Sequence, residues 1–169
     1  MDLAPFLPWL VFLHIAGAFG LVLAHGVSVF AAFAIRGTRD RTRIVSLLEL
    51  SGVSLGLLYI SLLLLLVGGV LAGIAAGWYT SGRMWIWAAL ILLVLIVVAM
   101  YAMASRYYAA VRAAVGLRST SVPKEAPDPT PLGDQELDAL LRTNRPEQLA
   151  AIGGVGFLLI LYLMVFKPF

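Results

Sequence analysis

Four long apolar runs separated by short polar breaks set the pattern of the chain. They place membrane-spanning helices at about 7–35, 51–77, 84–108 and 146–166. Each run reaches the roughly 20 residues that a helix needs to cross a bilayer core. Pro5 and Pro8 suit a first helical turn, where no backbone N–H is required. Trp9 fits an interfacial anchor. The first run exceeds the minimum length, so its helix is expected to tilt or protrude. The second run has an interfacial start at 44–50, with Glu49 near the headgroups.

The polar breaks give the expected orientation. Arg36, Arg39, Arg41 and Arg43 surround Asp40 in the stretch RGTRDRTR, the strongest cytoplasmic signal in the chain. Arg106, Arg112, Arg118 and Lys124 follow the third run. Arg83 is the only charge in the second break, where Trp78, Tyr79, Trp85 and Trp87 form an aromatic belt. The first and third connections are therefore expected inside, and both termini outside. The fold expected is all-α: a single polytopic domain built as an antiparallel bundle of four transmembrane helices.

The third connection, 116–145, is a cytoplasmic loop with Pro123, Pro127, Pro129 and Pro131, which break any long helix. Within it, 134–142 (DQELDALLR) predicts one short amphipathic helix with Leu137, Leu140 and Leu141 on one side, on the membrane surface or capping the bundle. Pro146 and Glu147 suit the start of the last helix, and Lys167 can snorkel at its far end.

Composition sharpens this picture. Apolar residues make up 62% of the 169, charged residues 12%, and mean hydropathy is +0.97. A soluble fold of this size cannot hide so much apolar surface behind a polar shell. There is no cysteine. That excludes disulfides, thiolate zinc sites, iron–sulfur clusters and cysteine nucleophiles. The net charge of +3 comes from arginines beside the spans and reads as topology, not as nucleic-acid binding. The N-terminus has no basic segment ahead of its apolar run, so the first span is expected to be retained.

Small residues recur at helical spacing. Ala16, Gly20, Ala24, Ser28 and Ala32 follow one another at every fourth position of the first span, and Gly69, Gly73 and Gly77 do so in the second. Gly52 and Gly56 repeat the pattern, and Gly153, Gly154 and Gly156 add a patch in the fourth span. Such rows let helix backbones approach in lipid, within one chain or across a homodimer or larger membrane complex.

The candidate chemistry lies in the first span, which holds both histidines. His14 and His25 are eleven residues apart. At about 100° and about 1.5 Å per residue they share a face but lie about 16 Å apart along the axis. They cannot ligate one ion, because metal–nitrogen bonds are about 2 Å. Ser51 and Ser54 are the expected hydrogen-bond partners of His25. One reading is structural, each histidine fixing packing through a hydrogen bond. A second is haem b, held through His14 or His25 with methionine, with a histidine of another copy, or with no second axial ligand. A third is copper, with His14 and Met84 at one level. A fourth is a proton or small-solute path. No span carries a central Asp, Glu, Lys or Arg, so the usual proton relay is missing. There is no phosphate loop and no HExxH. Tyr59 in mid-span reads as packing.

The segments LPWLVFLHIAGAFGLVLAHGVS and RPEQLAAIGGVGFLLILYLMVFKP resemble an uncharacterised family of small bacterial four-helix integral membrane proteins. The resemblance implies a bacterial plasma membrane and four spans, and implies no established activity. More distantly, the first span is similar to the copper-resistance D type of membrane protein, which begins with a comparable apolar–LHI–small helix. Of that pattern only His14 is matched, and the methionine and histidine set of a copper importer is missing. The expected function is that of a non-enzymatic membrane protein that packs or assembles with others.

Overall fold

A computed structural model of the chain describes residues 3–80, 83–118 and 127–168. Pro123 and Lys124 of the third connection lie outside the described residues. Among those described, the structure is helical with no strand. A 3-10 turn at Ala4–Phe6 leads into α1 (Leu7–Arg36), followed by α2 (Arg41–Ala75), α3 (Met84–Ala114), the short α4 (Asp134–Leu141) and α5 (Arg145–Phe166). Four stretches are long and apolar enough to cross a membrane: α1 with its leading turn, α2, α3, and the run from α4 through α5.

Helix α2 begins ten residues before the apolar run expected from 51. The cause is local. The Asp40 carboxylate accepts hydrogen bonds from the backbone N–H of Thr42 (2.9 Å) and of Arg43 (3.4 Å), satisfying donors that a helix start leaves open. The arginine-rich stretch is thus split between a tight connection and the first turn of α2. At its other end α2 stops at Ala75, and Gly77 takes φ +65 in the turn beyond it.

The helices associate mainly as two pairs, α1 with α2 and α3 with α5. The α1–α2 pair is close enough to need glycine. A Cβ at Gly17 would run into the backbone of Leu65 and Ser61, and one at Gly68 would lie 2.7 Å from His14 N and 3.0 Å from Leu10 O. A Cβ at Gly20 would strike the Ser61 side chain. In the α3–α5 pair, Gly156 gives way to Ile96.

The two pairs are joined by an apolar cluster at the arginine end. It includes Ile35 of α1, Ile44 and Leu48 of α2, Tyr107 and Val111 of α3, Leu137 and Leu141 of α4, and Leu149 of α5. The amphipathic α4 therefore seals this end of the bundle with its leucines. Its acids face the arginine stretch. Arg39 pairs with Asp138 at 2.5 Å and Arg41 with Asp134 at 2.9 Å, while Arg36 pairs with Glu147 at the start of α5. Arg41 also donates to Ala114 O (3.2 Å) and Leu132 O (2.6 Å), tying the end of α3 and the approach to α4 together.

At the opposite end one of the aromatic residues is drawn into the protein. Trp85 is only 2% exposed and meets Trp78 edge-on at 5.5 Å. Lys167, just past α5, places its ammonium 5.0 Å from the Trp78 ring centre and 5.6 Å from that of Trp85. The cation sits over aromatic faces, an electrostatically favourable position.

Candidate functional site

The polar groups inside the helix pairs fall at three levels along α1. The first is His14. Its Nδ1 donates to the backbone carbonyl of Leu65 on α2 at 2.8 Å. A carbonyl oxygen only accepts, so Nδ1 carries a proton in this contact. Gly69 leaves the room for the ring, since a Cβ there would lie 2.6 Å from Nδ1. Thus Gly68 admits the backbone of α1 and Gly69 admits the imidazole.

The second level is His25, which turns to α5. Its ring occupies the space above Gly153, where any Cβ would run into Nε2 and Cε1. Phe157, one turn along α5, meets the imidazole edge-on at 5.4 Å and 86°. The Nε2 atom is buried and has no hydrogen-bond partner. An unmatched buried nitrogen of this kind carries a desolvation cost of about 1–3 kcal/mol.

The third level is a hydroxyl cluster joining three helices. Ser28 Oγ of α1 lies 3.1 Å from Ser51 Oγ of α2 and 3.2 Å from Tyr108 Oη of α3. The Tyr108 hydroxyl donates to Ser28 O at 2.6 Å. Ser54 bonds back to Ser51 O at 2.8 Å. The serines expected to serve His25 are therefore engaged with one another and with Tyr108. Tyr107, packed edge-on against Tyr108, has a buried hydroxyl with no partner.

The residues singled out in the sequence divide clearly. Gly20 packs on Ser61, Ala24 is fully buried, Ser28 organises the hydroxyl cluster, and Gly69 seats His14. Gly73 accommodates the Tyr79 ring, 2.7 Å from where its Cβ would be. Gly77 serves the turn after α2, and nothing lies within 4 Å of its Cβ position. Gly52, Gly56 and Gly154 likewise face open space. Met84 opens α3 and is 60% exposed, while the contacts of His14 run to α2. Among the described residues no three His, Cys, Asp or Glu side chains cluster as metal ligands would.

Tyr108, with Phe157 and Tyr107, is among the members of these sites that the sequence did not single out. Its position one turn inside the arginine-rich end of α3 was visible, but its partner on α1 depends on how three helices rotate against one another. No family model, curated protein or solved structure matches the chain.

Proposed function

We propose that the chain is a multi-pass protein of a bacterial plasma membrane, an antiparallel four-span bundle with both termini outside, acting as a non-enzymatic assembly subunit. The observation that carries the reading is the unfilled face of α2. Gly17, Gly20, Gly68 and Gly69 are all occupied by neighbours, whereas Gly52 and Gly56 meet nothing within 4 Å. Between them Val53 is 78% exposed. Glu49, three residues before Gly52, is exposed and has no ion pair or hydrogen bond among the described residues. A small-residue row ending in an unpaired acid suits a helix of a second copy, which approaches closely in lipid and supplies a donor to the carboxylate.

The lack of cysteine makes the test direct. Val53→Cys, in liposomes under mild oxidation, is expected to give a cross-linked dimer that Gly56→Leu abolishes. Val98→Cys, exposed on α3, provides the background. Cross-linking at Val53→Cys no greater than that background removes the assembly reading.

A second reading is favoured by the buried, unpartnered Nε2 of His25. Imidazole nitrogens of this kind hold haem b or copper, or relay a proton or small solute. A Soret band or stoichiometric copper in freshly purified protein, lost in His25→Ala or His14→Ala, would replace the assembly reading with this one.

A further inference from the structure

Helices α1 and α2 enclose a groove of about 520 Å³ on the arginine side of the pair. Its walls include Phe30 and Ala34 from α1 and Leu47 and Leu50 from α2. Gly26 gives it depth, since a Cβ there would meet no atom within 4 Å. The groove's lining is apolar throughout, and its nearest basic residue on the same stripe of α2 lies one turn before Leu47. Arg43 precedes Leu47 by four residues and Leu50 by seven, so all three share one stripe of α2. Of the four arginines in this connection, Arg36, Arg39 and Arg41 are neutralised by Glu147, Asp138 and Asp134. The Arg43 guanidinium has no acidic partner among the described residues. The Asp40 carboxylate, three residues earlier, is engaged with the backbone N–H groups of Thr42 and Arg43, and Glu49 lies about 120° round the helix from Arg43 at about 100° per residue.

An apolar slot that ends at an unpaired cation repeats the order of a phospholipid, chain first and phosphate last. We propose that the groove binds one anionic phospholipid, with an acyl chain along Gly26, Phe30 and Leu47 and the phosphate on Arg43. The proposal rests on the membrane reading and is separate from the assembly face. Gly52 lies nine residues beyond Arg43, about half a turn round α2.

The full chain, reconstituted in nanodiscs of equal phosphatidylglycerol and phosphatidylcholine, is released into native mass spectrometry. One phospholipid is expected to remain bound. Phosphatidylglycerol should exceed phosphatidylcholine by roughly fivefold, the factor that one basic residue contributes near an anionic leaflet. Arg43→Gln is expected to bring the two lipids to parity. Gly26→Leu is expected to fill the groove and remove the retained lipid without lowering the thermal transition. Several outcomes overturn the proposal: no retained lipid, equal retention of both lipids by the parent chain, or a lipid pattern unchanged in either variant. A second protein copy lost on Gly26→Leu also overturns it, by naming a different occupant. Failure of the chain to enter nanodiscs at all defeats the membrane reading itself.

Discussion

His25 fills the space that a side chain at position 153 would take. The imidazole of one helix and the missing side chain of another form a single fitted contact between α1 and α5. Gly153→Ala is therefore expected to push α5 away from α1 and to destabilise the protein by about 1–3 kcal/mol, the usual cost of overpacking. Adding His25→Ala should restore part of the loss, because the clash disappears with the ring. Unfolding in mixed micelles measures both. Strict additivity of the two changes would contradict the fitted contact, since residues in contact couple.

Glycines with the same helical spacing should respond in opposite ways. Gly68→Ala places a methyl 2.7 Å from His14 N, a backbone atom that cannot rotate away. It should cost about 1–3 kcal/mol or more. Gly52→Ala enters open space and should leave the isolated bundle unchanged or gain up to about 1 kcal/mol from helix propensity. Equal responses in the same unfolding assay would argue against the described α1–α2 contact.

The adjacent tyrosines give a similar contrast. Tyr108→Phe removes the hydroxyl that bonds Ser28 at 2.6 Å and should cost about 0.6 kcal/mol, the average for hydrogen bonds in membrane bundles. Tyr107→Phe removes a buried hydroxyl with no partner and should be neutral or stabilising. A larger loss from the second change than from the first would reverse the assignment of the hydroxyl cluster.

The docking of α4 should depend on pH. Hydrogen bonds from Arg142 and then Arg39 hold the Asp138 carboxyl below its ordinary value. A carboxyl whose folded pKa is depressed stabilises the folded state above its unfolded pKa of about 3.9 and stops doing so as pH falls through the folded value. Protection of the α4 backbone, followed by amide exchange, is therefore expected to hold at neutral pH and to decline below about pH 4. Asp138→Asn should weaken that protection at neutral pH and flatten its acid response. An identical acid decline in the variant would exclude Asp138 as its cause.

The four apolar stretches were legible because lipid demands continuous apolar length, which a chain displays openly. The short α4 was legible for a related reason: Leu137 and Leu141 repeat at one turn, and both are buried in the joining cluster. The early start of α2 was readable in principle, since Asp40 stands where a helix start wants an acceptor. The partners of the histidines were not readable. His14 and His25 share a face by spacing, yet the first meets α2 and the second α5. The same stripe of α1 faces different helices at different depths, and that depends on crossing geometry rather than on spacing along one helix. Trp85 illustrates the same point. Its place beside a polar break was legible, but its packing against Trp78 and Lys167 was not.

The ion pairs of the first connection join residues far apart in the order of synthesis. Arg36, Arg39 and Arg41 precede their acidic partners by 111, 99 and 93 residues. During translation these cations emerge bare and stay so until α4 and the start of α5 are made. The same three side chains are thus loose charges first and clasps for the finishing segment later. A ribosome stalled before Asp134 would expose a hairpin still carrying its full positive charge, and completion of the chain removes that mark.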